Sequence, residues 1–598
     1  MWVDRWVAAC LAPLAVWILL SGLDDLFIAA VRAAMRRRPF PWPSDAELDG
    51  AAERRIAILV PLWREHRVIG RMLEHNLAVI RYSNYDVFVG VYPNDELTER
   101  AVSEAAHRNP QVHLALCGNN GPTSKGDCLN WIFRSMREYE ARERVRFDIV
   151  ITHDAEDLID GDSLRLINWF GRDYDMVQIP VLALPTPARE WTHGIYCDEF
   201  AEYQTKDIPV RQRLGGFLPA NGVGTGFRRE ALEQLAATRG GRVFDPDSLT
   251  EDYETGYRLH ALGCRQIFVP VQHRNAAPVA TREYFPRGAR AAIRQRSRWV
   301  AGIALQGWQL HGWGGSWGQR YWFWRDRKGL IGNLLSPAAN LLLVYIVLAK
   351  LAARRDIFAF LPAWVGWICL AMGAMSVVQV LDRARSTAQF YGWRMAALTP
   401  LRVVWANQVN GLATLLALSQ FLMARVRRSG LVWRKTDHVY IAQGHTRPGR
   451  PRLGDVLVRM RRLTPEEVEG AVREAPRGLR LGEYLVHTRK LSEQDLYEAL
   501  SAQTGIPLGR PAKREFHAAA TRVVPAAAAR RWKVLPYRVA MGQLHVLTSD
   551  VPTEALTRSL AQFSGLEIRF RLVRPDEFDE LADQYLGVGR AIVPAAGF

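Results

Sequence analysis

The chain has 598 residues, only six of them cysteine, and is short of acid. The cysteines stand apart at 10, 117, 128, 197, 264 and 369, and no pair has metal-ligand spacing. That argues against a zinc module and a disulfide-framed domain, and predicts reduced thiols in a cytoplasmic setting. No Gly-x-x-x-x-Gly-Lys-Ser/Thr loop is present; the nearest stretch, Gly121-Pro-Thr-Ser-Lys125, has the wrong spacing, which excludes a P-loop ATPase. Helix-turn-helix and zinc patterns are lacking too, so no nucleic-acid partner is expected. Asp and Glu number 61 against 78 Lys and Arg, a net charge of +17. Much of that excess sits beside apolar runs, as at an anionic membrane surface. Apolar residues make up 48% and charged residues 23%, which excludes a mainly disordered chain. Twenty Trp fit a protein with lipid–water boundaries, and the length suggests about three to five domains.

Trp6 to Leu23 is apolar and uncharged, and Phe27 to Val31 extend it past Asp24 and Asp25. A cleavable signal peptide is not expected, because no basic region precedes the run. Arg32, Arg36, Arg37 and Arg38 follow it, which places the N-terminus outside and the following residues in the cytoplasm. Residues 1–38 thus form an N-terminal membrane segment with a basic flank. Leu330 to Leu351 and Ile357 to Leu381 are each long enough to span a bilayer. The short turn between them makes a hairpin within a membrane region at 301–428. In Val403 to Val426 the residues Asn407, Asn410 and Thr414 share one helical face, which predicts an interfacial or re-entrant helix.

Residues 53–300 read as a soluble domain after the stiff Pro39-Phe40-Pro41-Trp42-Pro43 linker. Ile56 to Val60, Val87 to Tyr92 and Phe147 to Thr152 are apolar runs suited to strands buried on both faces, and a helical stretch at Val68 to Ile80 follows the first. This rhythm predicts a parallel α/β sheet with its site at the carboxyl ends of the strands. Asp95 and Asp154-Ala155-Glu156 stand at two of those ends. Two carboxylates there suit Mg²⁺ or Mn²⁺ bridging a diphosphate. Asp95 can accept from a nucleoside, Lys125 can face phosphate, and Gly126 would let the backbone approach it. A carboxylate of Glu251-Asp252 can deprotonate an attacking hydroxyl. Arg298 can pair with diphosphate oxygens, and Trp299 can stack on a sugar.

Together, in this order, these residues resemble the inverting family 2 glycosyltransferases of GT-A (Rossmann-like) fold. In that resemblance Glu65 is the acid after the first strand, followed by Asp95, the Lys125-Gly-x-x-x-Asn130 element and Asp154-x-Glu156. A Gly-rich acceptor-side segment is matched by Ala220 to Arg229, the base element by Thr250-Glu251-Asp252, and Gln-x-x-Arg-Trp by Gln295, Arg298 and Trp299. Glu156 stands where the family has its second Asp, one methylene longer. The resemblance implies a UDP-sugar donor, a divalent metal at Asp154 and Glu156, and membrane helices that hold or pass a growing glycan acceptor.

Residues 449–590 read as a second soluble domain. Arg452-Leu453-Gly454 and Leu457 recur as Arg480-Leu481-Gly482 and Leu485, and Leu463 recurs as Leu491, at a constant offset of 28 positions. Each unit reads as a short helix, a turn and a longer amphipathic helix with a hydroxyl N-cap. The repeat resembles the N-terminal domain of MshE-type secretion ATPases, an α+β domain whose duplicated motif binds cyclic di-GMP. It implies that Arg452 and Arg480 stack on guanines or pair with phosphates. A ladder of Leu453, Leu457, Leu463, Leu481, Leu485, Leu491, Leu496 and Leu500 would pack on bases, with Gln503 and Asp550 adding polar contacts. Ala475 stands where the first repeat's Gln would be.

This order of parts resembles the bacteriophage N4 adsorption protein B family. It implies an enzyme of the bacterial cytoplasmic membrane, with both soluble domains cytoplasmic and cyclic di-GMP as an allosteric ligand. An amino-sugar donor, UDP-N-acetylmannosamine, a secreted exopolysaccharide and an outer-membrane export partner follow from the same resemblance. The rival reading is a non-catalytic membrane scaffold or receptor for phage adsorption or envelope assembly.

Overall fold

The computed structural model describes residues 2–35, 40–427 and 453–586, apart from Gln272, Asn275, Ala276, Arg461, Ala475, residues 477–480, Gly505, Met541 and Gly565. Arg36 to Arg38, Arg452, Ala475, Arg480 and the 429–450 linker therefore lie outside the described residues. The chain forms two compact units, residues 1–70 with 81–440, and residues 71–80 with 441–598.

The first unit opens with helix α1 (Trp2–Met35), one continuous helix through the whole N-terminal apolar run. A seven-stranded sheet follows: β1 (Ile56–Pro61), β2 (Tyr85–Val91), β3 (Val112–Leu116), β4 (Ile149–Thr152), β5 (Met176–Gln178), β7 (Thr225–Arg228) and β8 (Gln266–Phe268). Its order is β3-β2-β1-β4-β7-β5-β8. β1 runs parallel to β2 and β4, with Ile56 opposite Tyr85 and Ile149. Every residue of β2 and β4 is buried, as continuous apolar runs require between two covering layers. The sheet is mixed rather than parallel, because β7 runs antiparallel to both β4 and β5. Gly224, Thr225 and Gly226 gave β7 too little apolar character to be read as a strand. A separate parallel pair joins β6 (Val181–Ala183) to β9 (Thr281–Glu283).

Four helices carry the site or brace it: α2 (Lys125–Glu143), α3 (Trp191–Glu202), α4 (Glu251–Ala261) and α5 (Ala289–Trp299). α2 lays Cys128, Ile132, Phe133 and Met136 on the core with Phe88, Phe147 and Phe227. A π-helical segment, Val300–Gln306, continues α5. Beyond it come α6 (Trp317–Arg327), α7 (Gly329–Ala353), α8 (Ala363–Tyr391) and α9 (Thr399–Arg427). The unit has four helical stretches long and apolar enough to cross a membrane: α1, α6 with α7, α8 and α9. The second hairpin arm starts six residues later than the apolar run, because Pro362 caps α8 and Ile357–Phe360 form a short 3-10 turn.

The polar face of α9 meets protein. Asn410 Oδ1 accepts from Arg296 Nη1 at 2.7 Å, and Thr414 Oγ1 accepts from Asn333 Nδ2 at 3.1 Å. Arg402, fully buried, forks onto both oxygens of Asp198 on α3 at 2.7 Å. These bonds account for polar residues in a helix of spanning length.

The second unit joins four helices, α10 (Leu453–Arg459), α11 (Pro465–Glu474), α12 (Leu481–His487) and α13 (Glu493–Thr504), to a three-stranded sheet. That sheet is β10 (Val534–Ala540), β11 (Gln543–Thr548) and β12 (Glu567–Leu572), antiparallel then parallel, which makes the domain α+β. Thr464 and Ser492 cap the longer helices, accepting from the Glu467 N–H at 3.3 Å and the Asp495 N–H at 3.0 Å.

Candidate active site

The sheet brings residues from distant parts of the chain to one cavity of about 150 Å³. Glu65, Lys125, Asp154, Glu156, Glu251, Asp252, Gln295, Arg298 and Trp299 all line it. β4 delivers Asp154 and Glu156, the first turn of α2 delivers Lys125, the first turn of α4 delivers Glu251 and Asp252, and the last turn of α5 delivers Arg298 and Trp299.

Lys125 Nζ lies 2.6 Å from Asp154 Oδ1 and 3.8 Å from Glu251 Oε1. Burial alone would push its ammonium down; Asp154, Glu251 and Asp252 together outweigh that and hold its pKa above the ordinary value. Burial, with Asp252 beside it, pushes the Glu251 carboxyl up to about 7. Burial also raises Asp252, against the pull of Lys125 and Arg298.

Asp95 does not line this cavity. It is buried at the start of the helix after β2, where Oδ2 accepts from the Arg64 N–H at 2.5 Å. Arg64 has φ of +55°, so Asp95 holds a strained turn that aims the loop bearing Trp63 and Glu65. Gly126 packs against the loop before α4: a Cβ there would stand 2.6 Å from the Asp245 carbonyl oxygen. Asn130 clamps the same loop, accepting from the Val243 and Phe244 N–H groups at 3.1 and 3.0 Å and donating to the Phe244 carbonyl at 2.8 Å. The Lys-Gly-x-x-x-Asn element therefore offers one residue to the cavity and uses two to fix the approach to Thr250-Glu251-Asp252. Arg298 reinforces this approach by donating to the Leu249 carbonyl at 3.2 Å, and Tyr196 OH fixes Gln295 at 2.9 Å.

Residues that sequence reasoning missed complete the site. Asp157 Oδ2, fully buried, accepts from the Asp154 N–H at 2.9 Å and from His153 Nδ1 at 2.8 Å. Burial raises Asp157 and lowers His153 to about 3, so both shifts favour the neutral forms. Gly222, at φ +76°, lies against Asp252: a Cβ there would stand 2.6 Å from Asp252 Oδ2. Trp63, Asn221 and Glu283 also line the cavity. Of these, Asn221 and Gly222 stand within the Gly-rich segment Ala220 to Arg229 that the sequence offered, whereas Asp157, Trp63 and Glu283 carried no such signal.

A second cavity, of about 1140 Å³, extends from Asp252 and Trp299 among α1, α7, α8 and α9, with Leu11, Asn340, Met372 and Asn407 in its wall. It belongs to the same unit as the first.

In the second unit, Leu457 and Leu485 are fully buried, and Leu463, Leu491 and Leu496 nearly so, within one core. As placed, these five shape the repeat and do not face a ligand. Leu453, Leu481 and Leu500 are half-buried at its edge. A Cβ on Gly454 would meet Val468 at 2.6 Å and one on Gly482 would meet Leu496 at 2.6 Å, the same contact in both repeats. Gln503 is half-buried on α13, and Tyr497 donates to the Ser549 carbonyl, which brings Asp550 beside that helix.

Residues 53–302 match the family described as glycosyltransferase like family 2, and residues 504–592 match the MshEN domain. The second match covers the sheet-bearing part that follows the repeat. The chain is 37% identical to bacteriophage adsorption protein B of Escherichia coli strain K12, over 94% of this chain and 79% of that protein. It belongs to the bacteriophage adsorption protein B family. Among solved structures it is similar to the mannosyltransferase PcManGT from Pyrobaculum calidifontis in complex with GDP-Man and Mn²⁺ (18% identity, 67% of this chain and 99% of that one, TM-score 0.41). It is also similar to MshE with cdg (25% identity, 23% of this chain and 99% of that one, TM-score 0.22).

Proposed function

We propose that the chain is an inverting transferase of the cytoplasmic membrane that moves a sugar from a UDP-sugar onto a growing glycan. What carries this reading is the position of Asp252, which lines both the small charged cavity and the large one among the membrane helices. A donor in the first and an acceptor in the second would meet at that carboxylate.

In this reading Asp252 takes the proton of an acceptor hydroxyl. The hydroxyl oxygen forms its bond to the anomeric carbon as the bond to the diphosphate breaks, and one displacement inverts that carbon. Lys125 and Arg298 hold the departing diphosphate. Asp154 and Glu156 fit a divalent ion of the kind that needs only one or two protein carboxylates beside phosphate oxygens. No group of three or more such ligands occurs among the described residues, so the site is an open one rather than a closed protein cage. When bound, Mg²⁺ or Mn²⁺ would supply Lewis-acid charge at the diphosphate.

The amino-sugar donor, the secreted polysaccharide and its outer-membrane export partner extend the same proposal. So does regulation by cyclic di-GMP through the C-terminal unit, with both soluble domains in the cytoplasm. Membranes bearing the protein, screened with UDP-sugars, should release UDP from at least one, and Asp252→Asn should abolish the release while leaving insertion intact. Normal turnover by that variant would take the role of base away from Asp252, and release of UDP from none of the sugars would return the reading to a non-catalytic scaffold.

A further inference from the structure

The membrane-side cavity, of about 1140 Å³, exceeds the usual small-molecule site of about 300–1000 Å³. It meets the donor-side cavity at a neck common to both, where Asn221, Asp252 and Glu283 stand. Three helices carry its wall away from that neck, and all three change character along their length. On α7, Ser336 and Asn340 give way to Leu343 and Ile346. On α8, Arg383, Gln379 and Ser376 give way to Met372 and Cys369. On α1, Asp25 gives way to Ile18, Leu14 and Leu11, a rise of about 21 Å from Asp25 to Leu11. The polar ends coincide: Lys328 donates to Asp25 Oδ1 at 2.9 Å and Gln379 Nε2 to Asp25 Oδ2 at 3.4 Å. They lie toward the neck, because Arg383 donates to Glu202 of α3 at 2.6 Å, and Glu199 of the same helix accepts from Arg296 of α5 at 2.7 Å. The apolar ends coincide too, since Leu11 and Ile346 share one cluster with Val7, Ala349 and Ile357.

In the far half, from Leu11 to Ile18, from Leu343 to Ile346 and from Cys369 to Gly373, no wall residue carries a side-chain oxygen or nitrogen. A sugar there would leave enclosed hydroxyls without partners, which is costly. A hydrocarbon chain meets no such cost. The half beside the neck is different, since Ser336, Asn340 and Gln379 can pair with hydroxyls. A bare glycan suits only that half. A molecule that suits both has a sugar at one end and hydrocarbon at the other.

We propose that the acceptor is an amphiphile, a saccharide carried on a hydrocarbon chain, with its sugar at Asp252 and its chain in the far half of the cavity. This rests on the transferase reading above and names the chemical class of its acceptor. The step is the same one: the acceptor hydroxyl oxygen bonds to the anomeric carbon, the bond to UDP breaks, and the proton passes to Asp252.

The test uses the full chain in nanodiscs, with a UDP-sugar that the wild type turns over. Methyl and octyl glycosides of glucose, N-acetylglucosamine and N-acetylmannosamine are added as acceptors, below the concentrations at which they form micelles. For at least one sugar the octyl form should have a KM about tenfold or more below that of the methyl form. Partition into the bilayer would also lower that KM, so a variant in the wall carries the decision. Gly373 stands in the wall beside Met372, and a Cβ there would meet nothing within 4 Å, which leaves room for a larger side chain. Gly373→Leu should raise the octyl KM about tenfold, and Gly373→Trp more, while partition stays the same. Equal KM values for methyl and octyl forms in the wild type overturn the proposal, as does an octyl advantage that both Gly373 variants keep. A methyl KM that rises as much as the octyl KM marks a structural role and overturns it too. A wild type whose UDP release no glycoside alters overturns it while the transferase reading stands. A wild type that releases no UDP from any UDP-sugar overturns both.

Discussion

Lys125 Nζ and Asp154 Oδ1, 2.6 Å apart, tie the first turn of α2 to the end of β4 inside the donor-side cavity. The same ammonium is the cation nearest the Glu251 and Asp252 carboxylates. A donor diphosphate entering this space meets a charge already held in place. Lys125→Met removes it, and the affinity for UDP should fall about 10- to 100-fold, the worth of one charge-assisted hydrogen bond. Calorimetry with UDP reads this directly; an unchanged Kd would mean that Lys125 only balances the carboxylates.

Asp157 gives a second, sharper test because its two shifts agree. The carboxyl is raised by burial and His153 is lowered to about 3, so each group is shifted toward its neutral form. An amide of the same shape can replace a neutral carboxyl. Asp157→Asn should therefore keep the Asp154 N–H bond and retain activity within about threefold. Asp157→Ala leaves two enclosed donors unpaired, should cost about 1–3 kcal/mol of stability, and should lower kcat about tenfold through a displaced Asp154. Thermal unfolding and UDP-release assays separate the two variants, and equal damage from both would show that the charge matters.

The acidic pair predicts a pH profile. Glu251 and Asp252 titrate as a unit, and the Glu251 carboxyl is pushed up to about 7. Below that pH a proton is retained on the pair and weakens the base. UDP release should therefore rise as pH passes from about 6 to about 8. Glu251→Gln removes the group pushed up to about 7, and the acidic limb should move to lower pH while staying above the ordinary carboxylate range, because burial still raises Asp252. Stability runs the other way. Between about 4.3 and the raised value the folded state holds a proton that the unfolded chain has lost, so this pair's contribution falls as pH rises across that window. A flat activity profile across it would remove the pair from the proton transfer.

How far the site was legible depended on chain separation. Strands β1, β2 and β4 were readable because each carries a continuous apolar run, two of them followed by an acid, Asp95 and Asp154. The elements around Lys125, Asp154, Asp252 and Arg298 carry their chemistry in short local patterns. β7 was not legible, because its four residues hold one large apolar side chain, Phe227, beside Thr225, Gly226 and Arg228, and the sheet becomes mixed there. Asp95 was legible as an acid at a strand end, but its actual contact depends on the conformation of Arg64, which only the fold reveals. Asn221 and Glu283 reach the neck through Gln178 and the β6–β9 pair, contacts made over long sequence separations that no local spacing reports. The leucine repeat was legible as a repeat, but the burial of Leu457 and Leu485 depends on how its helices stack.

The repeat supplies the last prediction, since the structure separates residues that shape it from those left to bind. Gly454 faces Val468 and Gly482 faces Leu496 at the same 2.6 Å from where a Cβ would stand. A branched side chain at either glycine forces the paired helices apart. Gly482→Val should destabilise the C-terminal unit by about 1–3 kcal/mol, the usual cost of overpacking a core, and should abolish cyclic di-GMP binding with it. Arg452→Ala combined with Arg480→Ala removes the two repeat arginines and should abolish binding while leaving the unfolding temperature of that unit in place. Calorimetry with cyclic di-GMP on the full chain, run beside thermal unfolding, reads both effects. Heat of binding that survives the double arginine variant would move the ligand site away from the repeat, and no heat from the unmodified protein would leave the repeat as a packing unit alone.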